Sequence, residues 1–196
     1  MRSNIEKLVS LNLYGIAPKA TKAASTILQN LLNSKERKHV QESSVFISFA
    51  FETKLVSDPF EHSNEKDPKP DILTHINNSD YFFELGEITD ERFAKIGADA
   101  IKSKTKQVFG SALSQEEPLA KMLKQKCEKS YETDGAPVDL LLYYWRQGPY
   151  KETIDKYLNK NCLEIDKLHL NSQFAKIWIY DLKSETVLWK AERKKD

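Results

Sequence analysis

Two acidic residues in one short stretch carry the most specific chemistry in the sequence. Asp71 follows Pro70 at the head of an apolar run, Ile72-Leu73-Thr74-His75-Ile76. Glu84 lies in a second run, Tyr81-Phe82-Phe83-Glu84-Leu85-Gly86-Glu87-Ile88. Both runs are rich in strand formers, and Asn77-Asn78-Ser79-Asp80 between them favours a turn. The pattern predicts a β-hairpin, in which the start of one strand lies beside the end of the other and Asp71 approaches Glu84. Like charges so placed repel, and they are tolerated when a cation sits between them or one holds a proton. Hard ions such as Mg²⁺ are held by one or two carboxylates plus water and substrate phosphates. Asp71 and Glu84 are therefore the candidate metal ligands, for Mg²⁺ or Mn²⁺. The plainer reading is a turn aspartate and a glutamate paired with a lysine or arginine.

Other groups are less specific. His75 shares a strand face with Asp71 and Leu73 if the alternation holds, although a structural or surface histidine fits as well. Glu42 and Glu52 could add a carboxylate but read as surface residues. Lys102, Lys104, Lys106, Lys121, Lys124 and Lys126 could neutralise phosphates, and runs of this kind are ordinarily solvated faces. Tyr143, Tyr144, Trp145, Trp178 and Trp189 fit core packing better than base stacking. There is no Ser/His/Asp order, Gly-rich phosphate loop or zinc spacing.

The chain that must position these groups has 196 residues, 40% hydrophobic and 30% charged, with a net charge of +1. That fits one domain with a real core and excludes a global electrostatic argument for nucleic acid. No apolar run is long enough to span a bilayer, and the N-terminus lacks a signal-peptide pattern. Cys127 and Cys162 have no metal-ligand spacing and predict reduced thiols, hence a cytoplasmic protein. Residues 4–14 fit a helix or an extended segment equally. Helical spacing runs from Lys19 to about Val40, and Val45–Val56 favours a strand. Residues 57–69 form a proline-punctuated loop. After the hairpin, a helix capped by Thr89 or Asp90 extends to about Lys106, and another covers 116–130. Val138–Trp145 reads as a strand buried on both faces, 149–160 as a helix, and 174–180 with 185–190 as a terminal hairpin. The expected fold is α/β or α+β, a central mixed sheet flanked by helices. The expected division is an N-terminal helical extension over 1–40 and a core over 41–196.

Ser48-Phe49-Ala50-Phe51, Pro70-Asp71 and Phe83-Glu84-Leu85-Gly86-Glu87 form a recognisable series. Asp90-Glu91-Arg92-Phe93-Ala94-Lys95 and Lys106-Gln107-Val108 continue it. The series resembles the YaeQ family of the PD-(D/E)XK nuclease-like superfamily, most densely over about residues 45–108. The resemblance implies a restriction-endonuclease-like core and Mg²⁺-assisted hydrolysis of phosphodiester bonds in DNA or RNA. It implies Asp71 and Glu84 as metal ligands with the Leu85 carbonyl as a third, and a lysine that positions or activates water. In this superfamily that lysine follows the second acid by two residues, where this chain has Gly86. Lys95 aligns best with a basic position on the next helix and is the candidate migrated lysine, with Arg92 as the other. Glu87 reads equally as an accessory acid or as a cap of that helix. The alternative is a catalytically degenerate module on the same fold that binds nucleic acid or a protein partner.

Overall fold

The computed structural model describes residues 34–55, 60–63, 68–89, 116–144 and 151–193. The elements run α1 (Ser34–Thr53), β1 (Glu61–His62), β2 (Ile72–Ile76), β3 (Ser79–Glu87), α2 (Glu116–Cys127), β4 (Val138–Tyr144), α3 (Lys151–Lys160), α4 (Cys162–Asn171), β5 (Lys176–Asp181) and β6 (Thr186–Glu192). The six strands form one mixed sheet in chain order. β1, β2 and β3 are antiparallel neighbours, β3, β4 and β5 are parallel, and β6 returns antiparallel to β5. Of the two expected classes the fold is α+β, with the expected mixed sheet and helices packed on it.

The hairpin forms as expected, and its turn is tighter. Asn77 and Asn78 both adopt positive φ, 54° and 61°, a backbone that asparagine tolerates and that matches the twist of paired strands. Ser79 and Asp80 belong to β3, and the register pairs Ile72 with Phe83. β4 is buried along its whole length, and the helix at 116–130 and the terminal hairpin also appear.

One element is corrected. Val45–Val56 is not a strand, because α1 runs unbroken to Thr53 and crosses residue 40. Among its buried residues, Glu42, Val45, Phe46 and Phe49 follow a helical period, whereas Phe51 stays exposed. Aromatic and β-branched residues lose only about 0.5 kcal/mol each in a helix. Burying a Val or Phe against the sheet gains about 1.5–3 kcal/mol, so packing overrides propensity. Two further elements were not foreseen, the two-residue edge strand β1 inside the 57–69 loop and helix α4. The helix expected over 89–106, with Arg92, Lys95, Lys102, Lys104 and Lys106, lies outside the described residues. So do residues 4–14, most of 19–40, and Trp145.

Two apolar clusters cover the sheet. Val45, Phe46 and Phe49 of α1 pack on Phe83, Leu85, Leu141 and Tyr180. Leu119 and Leu123 of α2, Ile154 of α3 and Ile165 of α4 pack on Phe82, Leu140 and Leu142 of the other face. Asp139, buried in β4, accepts hydrogen bonds from the Tyr81 hydroxyl (2.7 Å) and Trp178 Nε1 (2.8 Å). The tyrosines and Trp178 named in the sequence serve packing, since Tyr143, Tyr144 and Trp178 are all buried.

Candidate active site

Alternation along β3 decides what each side chain can reach. Phe83 and Leu85 face α1, so Glu84 and Gly86 face α2. The Ile72–Phe83 pair puts Asp71 one step further out, opposite Glu84. The Asp71 Oδ2 accepts the Leu85 backbone N–H at 2.8 Å, which ties the acid to the strand next to its partner. Both acids line one polar cleft of about 280 Å³.

A lysine completes the pair, and it comes from α2. The Lys126 ammonium donates to Glu84 Oε1 and, at 2.6 Å, to the Leu85 carbonyl. Gly86 makes room for it. A Cβ at residue 86 would lie 3.4 Å from Lys126 Cε, 3.3 Å from Met122 Sδ and 2.8 Å from Leu142 Cδ2. The missing side chain two residues after Glu84 is thus the space across which α2 lays its own lysine. Burial pushes the Glu84 carboxyl above its ordinary range, Lys126 pulls it back, and Asp71 adds to the rise.

Helix α1 supplies the opposite wall. Glu42 is 5% exposed and is not a surface residue. Burial and then the Asp71 charge push its carboxyl up to about 7, against the pull of Lys38. Lys38 Nζ lies 3.4 Å from Glu42 Oε1 and 3.7 Å from Asp71 Oδ1. His62 of β1 stacks on His39 with ring centroids 4.7 Å apart, and its Nε2 lies 2.7 Å from the Ser43 Oγ. Burial, with His39 beside it, lowers His62 to about 4, so the ring is neutral at pH 7. On the α2 side the cleft continues over Lys129, Ser130 and Tyr131.

The expected residues separate accordingly. Asp71 and Glu84 meet. Glu87 does not line the cleft: three residues beyond Glu84 it faces the other way, where Gln41 Nε2 (2.8 Å) and the Thr89 hydroxyl (2.9 Å) hydrogen-bond its carboxylate. His75 is exposed at the turn end of β2, 3.1 Å from Asp80. Glu52 is exposed, as expected, and so are Lys121 and Lys124, whereas Lys126 turns inward. Lys95 lies outside the described residues.

The donor set suits a hard divalent ion: two carboxylates and a carbonyl, all oxygen. Among the described residues no three His, Cys, Asp or Glu side chains form a metal cage. The sequence names Glu42 and Lys126 but reads them as a surface acid and part of a solvated run, whereas both are drawn inward here. Lys38, Glu42, Val45 and Phe49 share a helical face, but that signal is visible only once α1 is read as a helix. Among the described residues, no helix is long and apolar enough to cross a membrane. The chain matches no protein-family model, no curated protein and no solved structure.

Proposed function

We propose that this protein is a divalent-metal-dependent nuclease of PD-(D/E)XK type with a restriction-endonuclease-like core, similar to the YaeQ family, acting on cytoplasmic DNA or RNA. One observation carries the reading. Asp71 and Glu84 line one cleft, Asp71 is tied to the Leu85 N–H, and Lys126 brings an ammonium to Glu84 and the Leu85 carbonyl although the usual lysine position is Gly86. Asp71, Glu84 and the Leu85 carbonyl would hold Mg²⁺ or Mn²⁺. The ion would supply charge stabilisation at the phosphoryl oxygens. Lys126 takes the role first assigned to Lys95: its ammonium orients the attacking water and offsets charge at the reacting phosphate. Lys69 and Lys129 on the cleft wall attract the phosphate backbone. Glu42, poised near neutrality, accepts or holds a proton at the edge of the same cleft.

A second reading has its own support. The Lys126 ammonium already satisfies Glu84 and the Leu85 carbonyl, as in a nuclease-fold module that binds nucleic acid or a protein without turnover. Labelled single- and double-stranded DNA and RNA, incubated with Mg²⁺ or Mn²⁺, separate the two. Metal-dependent cleavage that disappears in Asp71→Ala is expected. Binding without cleavage by the wild-type protein would favour the module.

A further inference from the structure

We propose that Lys126 is the resident cation on Glu84 and the Leu85 carbonyl. It sits on the same two oxygens that a divalent ion would use, so ion and ammonium exclude each other there, and ion binding moves the ammonium into the cleft. The inference rests on reading Asp71 and Glu84 as a metal seat, and it assigns that seat a built-in competitor.

The geometry leaves little room for both cations. Lys126 Nζ contacts Glu84 Oε1 and lies 2.6 Å from the Leu85 carbonyl. Glu84 and the Leu85 carbonyl would hold the ion through the oxygens that the ammonium already contacts, in a place where little water screens two cations from each other. The Lys126 and Glu84 side chains are 13% and 6% exposed. Asp71 is not part of this competition, because its Oδ2 is committed to the Leu85 N–H and its Oδ1 lies 3.7 Å from Lys38.

The displaced ammonium has somewhere to go. Lys126 lies in the last turn of α2, which ends at Cys127, and Lys129, Ser130 and Tyr131 just beyond already line the cleft. Its stem crosses Gly86, where no side chain fixes it, and a four-carbon stem reorients readily. The seat is therefore never left as a bare carboxylate. The lysine also reaches the cleft only after the ion has arrived, which orders the assembly of the site.

Mn²⁺ binding, read from the electron paramagnetic resonance of the free ion at pH 8, tests this in wild type and Lys126→Met. Mass-spectrometric acetylation rates of Lys126 in the wild-type protein, with and without Mn²⁺, provide a second readout that needs no variant. The expected result is affinity about tenfold tighter in K126M, a usual size for coupling between two ligands. Acetylation of Lys126 should also accelerate on Mn²⁺ addition while that of Lys121 does not. Equal affinity and unchanged labelling would overturn the exclusion and leave the metal seat standing. No Mn²⁺ binding in either protein would overturn both.

Discussion

Lys126 reaches Glu84 from 42 residues down the chain, and their buried contact is the point where α2 is fastened to β3. Buried pairs are asymmetric. Removing one partner strands the other charge and costs about 3–5 kcal/mol, whereas replacing both by neutral groups is often close to neutral. Lys126→Met is therefore expected to destabilise the protein strongly at pH 8, and Glu84→Gln in the same chain to restore most of the loss. Urea unfolding of the two single variants and the double variant measures the coupling. Additive losses would mean that the two groups do not depend on each other.

Gly86→Ala is the smallest change that tests the lysine's route. Its Cβ would lie 2.8 Å from Leu142 Cδ2, in a side chain that is fully buried. Overpacking of this kind costs about 1–3 kcal/mol. The same methyl would crowd Lys126 Cε, so cleavage should fall further than stability alone explains. Thermal melts beside cleavage rates decide it, and a variant with wild-type values in both would remove Gly86 from the argument.

Glu42 and His62 give the cleft a pH signature of two opposing parts. The folded state raises Glu42 from 4.5 to about 7. Its contribution to stability is therefore full below about pH 4.5 and is lost as pH rises through about 7. The folded state lowers His62 from 6.5 to about 4, so its contribution is present above about pH 6.5 and is lost as pH falls through about 4. Each shift corresponds to about 3 kcal/mol. The two slopes oppose each other between about pH 4.5 and 6.5, leaving the wild type nearly flat there and falling above it. Glu42→Gln should rise in stability from pH 4 to 6.5 and stay level beyond, whereas His62→Gln should fall from 4.5 to 7. Urea titrations across pH 4–8 show this directly, and three identical profiles would refute it.

What the sequence made legible is local. The Asn77-Asn78 turn and the two strand-forming runs define a register that puts Asp71 beside Glu84, and Val138–Tyr144 announces a buried strand. Glu87 was also decidable. It stands three positions after Glu84, an odd offset, and alternation then sends it to the other face. The Val45–Val56 run was not decidable, because strand-forming composition without alternation leaves the choice to tertiary burial, which made helix of it as far as Thr53 and turned Glu42 inward. Lys126 was the least legible. Its partner is set by how α2 crosses Gly86, a packing relationship that no spacing along the chain encodes.

The short strand β1 has a consequence for self-association. Glu61 and His62 pair with Leu73 and Ile72, and the Ser63 N–H donates to the Asp71 carbonyl at 3.0 Å. The same few residues that deliver His62 to the cleft thus cap the outer edge of β2. An uncapped edge presents unpaired backbone groups to any passing strand. Mutations that detach β1 should turn the exposed edge into a template for intermolecular sheet growth, so loss of the cleft and the onset of aggregation would arrive as a single event.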